Sequence, residues 1–417
     1  MKTEFTGEFL AQDSGRQAND ILRACVHCGF CNATCPTYQV EGNELDGPRG
    51  RIYLIKSLLE GQEATSTTRN HLDNCLTCRA CETTCPSGVE YHHLLDIGRQ
   101  EILKKVPRPW WQRMFRRALV AFMSRRVLFS AAMIPGRLFR WLLPSSFKHY
   151  VPAARPTLTA TVATTDQQRR VILAQGCVQP GLSPTTNQAV TAVLARFGIH
   201  TETVAAEQCC GAMAYHMDEQ ARGLAQARAN VDAWWPLIEQ GAEALVLSAS
   251  GCSIFVKDYP QLLSAEPAYA ERARIIVELT KDVSEILQQE DLESLALNNT
   301  PAVSWHCPCT AQHGQNLTDP TQSVLQRLGF TVPEVTDSHL CCGSAGTYSI
   351  FHPERAQKLR KRKLENLLES EPGAPVETIV TSNIGCQLHL SGGTTTPVVH
   401  WIELVARELA KRDVSSQ

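Results

Sequence analysis

The chain lacks any run of apolar residues near the roughly 18 to 20 that span a bilayer; stretches such as Ala118 to Met123 are far too short. No transmembrane helix is therefore expected. Met1 to Arg23 has no apolar h-region, so no secretory signal is expected either. Charge of one sign is not in excess. A net −2 over 417 residues gives no footing for nucleic acid. No Gly-x-Gly-x-x-Gly opens a strand–helix unit, so flavin or dinucleotide chemistry is expected on another chain. What the chain has in quantity is cysteine, 17 residues in all. They are not scattered as in a secreted disulfide scaffold. Their Cys-x-x-Cys spacing points instead to metal-binding thiols in a reducing cytosol.

Eight of them fall in two runs, Cys25-x2-Cys28-x2-Cys31-x3-Cys35-Pro36 and Cys75-x2-Cys78-x2-Cys81-x3-Cys85-Pro86. This is the spacing of bacterial two-cluster ferredoxins, in which three cysteines of a run wrap one cubane and the fourth reaches across to the other. The expected ligand sets are Cys25, Cys28, Cys31 and Cys85 for one [4Fe–4S] cluster, and Cys75, Cys78, Cys81 and Cys35 for the second. Structural zinc also uses paired Cys-x-x-Cys motifs, but gives no reason for a doubled four-cysteine run ending in proline. His27, inside the first run, reads as a loop histidine.

Hydrophobic content of 43% and the length suit two or three domains of a folded protein. Asp20 to Ala24 reads as the end of a helix leading into Cys25. Ile52, Leu54, Ile55, Leu58 and Leu59 form a stripe at helical spacing. The long gap between the runs predicts an all-helical ferredoxin module over 1–100. Arg49 and Arg51 face either an anionic cluster or solvent. From Ile102 to Tyr150 there are eleven Lys and Arg and no Asp or Glu. Aromatics are interleaved, with Trp111, Phe115, Leu119 and Phe122 near one face. Such a segment suits an anionic membrane surface or a partner groove; the alternative is a helix packed on its own protein with its arginines in water. Val151 to Gln168 reads as a linker, so 101–168 is amphipathic segment plus linker.

The remainder is duplicated. A strand Val171 to Ala174 leads to Cys177, then come Cys209-Cys210-Gly211, a long helix to Ile238, the strand Ala244 to Leu247, and Cys252. The order returns with Val303 to His306, Cys309, Cys341-Cys342-Gly343, the strand Ile379 to Thr381, and Cys386. Cys177 to Cys209 and Cys309 to Cys341 are both 32 positions; Cys210 to Cys252 is 42 and Cys342 to Cys386 is 44. Strand–helix alternation predicts parallel α/β units over 169–298 and 299–417. Ligands in such sheets sit beyond the strand ends, where these cysteines lie. Cys177, Cys209, Cys210, Cys252, Cys309, Cys341, Cys342 and Cys386 are therefore candidates for a further metal or redox site. Cys307 faces Gln175 in the aligned repeat and is an extra.

These residues resemble one family. Ile21 to Cys35, Glu44 to Lys56, His306 to Thr310 and Ser338 to Tyr348 resemble the iron–sulfur subunits of glycolate oxidase, within the wider CCG-domain, heterodisulfide-reductase-related group. The resemblance covers nearly the whole chain. It implies an α+β multidomain protein, a helical two-cluster ferredoxin module followed by a duplicated α/β cysteine-rich domain. It also implies an oxidoreductase complex in which a flavin-containing partner oxidises glycolate to glyoxylate, and D-lactate as a plausible second substrate. A second FAD-binding-type subunit accompanies that partner, and this chain passes electrons through [4Fe–4S] clusters towards a quinone. The implied location is peripheral, on the cytoplasmic side of the inner membrane. Alternatives within the resemblance are a glycerol-3-phosphate or lactate dehydrogenase subunit, or a thiol–disulfide reductase. One departure stands out: Phe255 and His389 occupy the positions three after Cys252 and Cys386, where heterodisulfide reductases carry a fifth cysteine. The repeats are then left with a further [4Fe–4S] cluster on Cys309, Cys341, Cys342 and Cys386, a reversible disulfide, or a docking role.

Overall fold

The computed structural model describes residues 1–142, 148, 150–152, 169–298, 300–369 and 376–415. Most of the linker expected over 151–168 lies outside them. The N-terminal module is helical. Helix α1 (Asp13–Ala24) runs into Cys25, α2 (Pro48–Leu59) lies between the cysteine runs, and α3 (Tyr91–Lys105) follows the second run. Pro48 opens α2 where a missing amide donor costs nothing. The α2 stripe Ile52, Ile55, Leu58 and Leu59 is buried against Leu94, Leu95 and Ile102 of α3 and Leu22 of α1.

Two further helices, α4 (Trp110–Met123) and α5 (Arg126–Leu138), cross the outside of the next unit at 90° to one another. They dock through few residues: Val120 against Ala214 and Met217, and Phe129 against Leu182 and Ile384.

The duplicated half contains two parallel sheets. Strands β1 (Arg169–Ala174), β2 (Ile199–Glu202), β3 (Ala244–Leu247) and β4 (Thr280–Lys281) are ordered β2-β1-β3-β4; β5 (Val303–His306), β6 (Thr378–Thr381) and β7 (Val398–His400) are ordered β5-β6-β7. Val171 pairs with Ala244 in the first sheet and Val303 with Thr378 in the second. Of the central strands, β3 is apolar and buried throughout, whereas β1 and β6 bury the apolar stretches Val171–Ala174 and Ile379–Val380 beside polar ends. β2, β4 and β7 are additions to the strands expected from the repeat. The repeats do not have separate cores. Val171, Leu173 and Val246 share one apolar cluster with Trp305, Val380 and Trp401. Helix α6 (Thr185–Ala195) of the first repeat lies along α7 (Trp401–Ser415), which closes the second. Buried Glu403 of α7 accepts hydrogen bonds from Ser183 and Thr186.

The helical module is fastened to both repeats by charge. Arg108, 5% exposed at its side chain, donates to Asp73 (2.6 Å) and to Asp218 of the first repeat (2.6 Å). Arg79 pairs with Asp258, and Arg355 of the second repeat donates to Asn74 at 2.6 Å. Burial pushes the Asp73 carboxyl up, but the Arg108 guanidinium outweighs it and holds it below the usual carboxylate range. Arg108→Ala leaves two carboxylates facing each other without their shared cation, and should cost about 3–5 kcal/mol in denaturant unfolding. Because the Asp73 pKa is depressed on folding, the stability that this link contributes is fully present above the ordinary carboxylate range near ~3.9. It is lost as pH falls through and below that range, and the pH dependence should flatten in the variant. An unfolding midpoint unchanged by Arg108→Ala would show that the contact adds nothing.

Candidate metal centres

Each ferredoxin run turns back on itself through two residues in the left-handed region. His27 (φ 60°) and Gly29 (φ 88°) flank Cys28, and Thr77 (φ 53°) and Arg79 (φ 60°) flank Cys78. A one-turn helix follows in each run, Phe30–Ala33 and Ala80–Thr83. Pro36 then starts a new helix directly after Cys35. Paired left-handed residues curl the loop around its own thiols, and amides such as Thr77 N–H point inward, here to Cys75 Sγ at 3.5 Å.

The loops enclose two cavities. Cys25, Cys28, Cys31 and Cys85 line one, and Cys35, Cys75, Cys78 and Cys81 line the other; Cys81 also contributes to the wall of the first. The second cavity therefore takes three thiols from its own run and one from the other, and the first takes three from its own run with Cys85 and the shared Cys81 from the other. All 17 cysteines are free thiols, with Cys28 exposed and Cys25, Cys35, Cys78 and Cys81 buried. Burial pushes the Cys31 thiol up to about 11 and the Cys78 and Cys81 thiols well above their usual range, with neighbouring thiols adding to the rise. Four thiolates cannot share such a space without a cation among them, and bound metal is what deprotonates such thiols. The donor set fits iron–sulfur clusters.

Both arginines singled out in the sequence face these cavities. Arg51, 1% exposed at its side chain, lines the second. It donates to His71 O (2.7 Å) and Thr37 Oγ1 (3.2 Å) and lies 3.6 Å from Asp46. Arg49 lines the first and pairs with Glu44 at 2.6 Å. His27 sits on the rim of the first, its ring 3.4 Å from Arg49 O.

In the repeats, each cysteine group gathers at the carboxyl edge of its sheet. Cys177 follows β1, Cys209 and Cys210 precede Gly211, and Cys252 lies in helix α8 (Ser250–Lys257) after β3. Cys177 and Cys209 sulfurs are 3.2 Å apart. Contacts with the Cys177 and Cys210 thiols and the Gly211 amide pull the Cys209 thiol below its usual range, against the desolvation of its buried position. In the second repeat Cys309 and Cys341 sulfurs are 3.7 Å apart, and Cys386 lies in helix α9 (Ile384–Ser391) after β6. The sequence reading missed His306, the last residue of β5, whose ring lies within 4.8 Å of the Cys342 and Cys386 sulfurs. Its only signal was that aligned Ala174 carries no donor. Cys307 stands apart from the group, donating towards Leu317 O at 3.6 Å.

The second repeat also abuts the ferredoxin module. Cys341 packs in one apolar cluster with Cys78 and Leu76, with Cys309 against it.

Comparison with known proteins gives a consistent picture. Residues 21–89 match the 4Fe-4S dicluster domain family, and residues 171–257 and 303–391 each match the cysteine-rich domain family. The chain is 51% identical to the glycolate oxidase iron-sulfur subunit of Escherichia coli K12, over 99% of this chain and 100% of that protein. It is 30% identical to the probable glycolate oxidase iron-sulfur subunit of Bacillus subtilis 168, over 89% of each. A dihydromethanophenazine:CoB–CoM heterodisulfide reductase component of Methanosarcina barkeri is 24% identical, over 93% of this chain and 94% of that one. Among solved structures, a hypothetical protein from Helicobacter pylori shares the fold, with a TM-score of 0.54 at 10% identity, covering 97% of this chain and 74% of that one.

The glycines after the cysteine pairs hold these loops. A Cβ at Gly343 (φ 88°) would stand 2.8 Å from Ala356 O and 2.9 Å from Leu359 Cβ. Gly241 has the same φ of 88° but open space around it. Gly241→Ala should therefore cost only the left-handed penalty, about 1–2 kcal/mol, and Gly343→Ala a further ~1–3 kcal/mol of overpacking. Thermal unfolding of the two variants checks this; equal losses would remove the steric argument.

Proposed function

The chain belongs to the glycolate oxidase iron–sulfur subunit family, and from that premise we propose that it is the electron-transfer subunit of a glycolate-oxidising complex. In this reading a flavin-containing partner converts glycolate to glyoxylate, with D-lactate as a plausible second substrate, and a second FAD-binding-type subunit completes the complex. The carrying observation is the pair of cavities, one lined by four thiols and the other by five, both drawn from the two runs. Cys25, Cys28, Cys31 and Cys85 would hold one [4Fe–4S] cluster and Cys35, Cys75, Cys78 and Cys81 the other. Such clusters, when bound, take up and release one electron at a time.

This chain's residues set the route. Exposed Cys28 lies among exposed Val26, Phe30 and Tyr53, an apolar rim suited to the flavin-bearing partner. Cys81 is common to both cavity walls, and Cys78 meets Cys341 of the second repeat. Electrons would enter at Cys28 and move inward along this line. Buried Arg51 places a fixed positive charge beside the second cavity, which favours the more reduced and more negative state of a cluster there.

A quinone acceptor calls for a membrane surface, and helices α4 and α5 are suited to one. No single helix among the described residues is long and apolar enough to cross a membrane. Of the seventeen large apolar side chains exposed among the described residues, eleven fall between Trp110 and Leu142, including Trp110 (71%), Val127 (78%) and Trp141 (73%). Several arginines of this segment are paired on the protein, while Arg113 and Arg125 face water and Arg117 stays 64% exposed at its side chain. Arg116 lies 3.5 Å from Asp218, Arg117 bonds Glu219 at 2.9 Å, and Arg137 donates to Gly181 O at 2.7 Å. The apolar side chains left outward support a peripheral seat on the cytoplasmic face of the inner membrane.

Two experiments test the reading. The anaerobically purified chain should carry about eight irons as two interacting clusters by EPR. In the complex, Cys28→Ser should lose about half of that iron and at least tenfold of glycolate-dependent dye reduction. Full iron and full activity in that variant would overturn the ligand assignment, and dye reduction with glycerol-3-phosphate but not glycolate would overturn the substrate. Trp110→Glu with Val127→Glu should move the complex from vesicles to the supernatant in co-sedimentation; unchanged sedimentation would assign that face to a subunit contact.

A further inference from the structure

The two repeats are alike in their cysteines but unlike beside them. β1 ends on Ala174 and β5 ends on His306, at aligned positions. His306 is 1% exposed, and neither ring nitrogen has a hydrogen-bond partner. A buried imidazole with both nitrogens idle costs more than most folds tolerate. The ring lies where one nitrogen and the sulfurs of Cys342 and Cys386 are all within 4.8 Å of one another. The Cys341 thiol is in hydrogen-bond contact with that of Cys342.

We propose that the second repeat binds one divalent transition-metal ion, zinc or ferrous iron, through His306, Cys342, Cys386 and Cys341. The spacing suits a single ion. Metal–sulfur bonds of ~2.3 Å in a tetrahedron put donors about 3.8 Å apart, and a small inward adjustment of the His306, Cys342 and Cys386 side chains reaches that, with Cys341 joining through its contact with Cys342. A four-iron cubane instead holds its thiolates apart by its own width. Among the described residues, no trio from the two ferredoxin runs is drawn as close as the His306 trio. Three sulfurs and one imidazole is a donor set for zinc or ferrous iron and excludes magnesium and calcium. Binding releases the three thiol protons to solvent and moves no electron. The first repeat, with Ala174 in place of the imidazole, lacks this fourth donor. The site lies next to Cys309, 3.7 Å from Cys341, on the side facing Cys78. The ion therefore sets the shape of the surface that the second ferredoxin cavity rests on.

The proposal does not rest on the two-cluster reading, and metal counting separates them. Zinc and iron are measured on the full chain purified anaerobically, together with X-ray absorption at the edge of whichever metal exceeds the cluster iron. One extra zinc or iron per chain is expected, in a shell of three sulfurs and one nitrogen. His306→Ala and Cys386→Ser should lower that extra metal at least fivefold while cluster EPR is unchanged, and Cys307→Ser, in the same loop, should retain it. No metal beyond about eight irons, a rise to about twelve irons as a third cubane, an all-sulfur shell, or full metal in His306→Ala would each overturn the proposal. Where His306→Ala fails to fold, the absorption shell of the wild-type chain decides. Loss of cluster iron with the extra ion still in its shell would overturn the two-cluster reading and leave this one standing.

Discussion

Everything in this molecule answers to one electrostatic constraint: thiolates repel, and they can be packed together only around positive charge. Each ferredoxin run brings three thiols onto one loop by curling through two left-handed residues, and borrows the fourth from the other run. The exchange makes each site depend on both runs. Neither loop can complete its donor set until α2 and α3 have brought the two runs together, so cluster binding and module folding are one equilibrium. The protein supplies part of the positive charge itself. Arg51 is buried beside the second cavity rather than left in water, where its desolvation is offset by Asp46, Thr37 and the His71 carbonyl.

The same module is held against both repeats. The holding contacts are ionic at the rim and apolar at the centre. Arg108, Arg79 and Arg355 tie the module's edges to Asp218 and Asp258 of the first repeat and the far side of the second. Leu76 and Cys78 pack on Cys341, Tyr348 and Leu359 in between. Charge gives this interface its register and apolar contact closes it, a division seen at most specific interfaces.

Much of this was legible in the sequence, for identifiable reasons. Ligand spacing is set by loop geometry, so the two runs could be read directly, as could the repeat, since equal intervals between cysteines impose equal architecture. The central strands were legible because each carries a buried apolar stretch, Val171–Ala174, Ala244–Leu247 and Ile379–Val380. β2, β4 and β7 were not, being short and set at sheet edges or joined to helices, as in Val398–His400 running straight into Trp401. The segment after Ile102 was read with its aromatics as the binding stripe, but the destination of its arginines was hidden. Their partners, Asp73, Asp218 and Glu219, are remote in sequence, and only the fold brings them into reach. His306 was invisible for a related cause. One histidine at the end of an apolar strand looks like core until Cys342 and Cys386 are placed around it.

The shared core binds the two repeats together while leaving their strand-end loops free to differ. With α6 packed on α7 and both sheets filling one apolar cluster, neither repeat can be lost without opening the other, so both are retained for stability. Their strand-end loops are under no such requirement. In the first repeat, Glu207 sits beside the cysteines and accepts from the Gln175 and Gly176 amides and Trp234. His339 stands at its aligned position in the second. A loop with Glu207 beside Cys209 and a loop with imidazole beside Cys342 are different chemical environments on one scaffold. The second faces the ferredoxin module, and the first faces α4 and α5. The duplicated fold thus presents one edge to the ferredoxin module and one to the helices with the outward apolar face, which a single copy could not do.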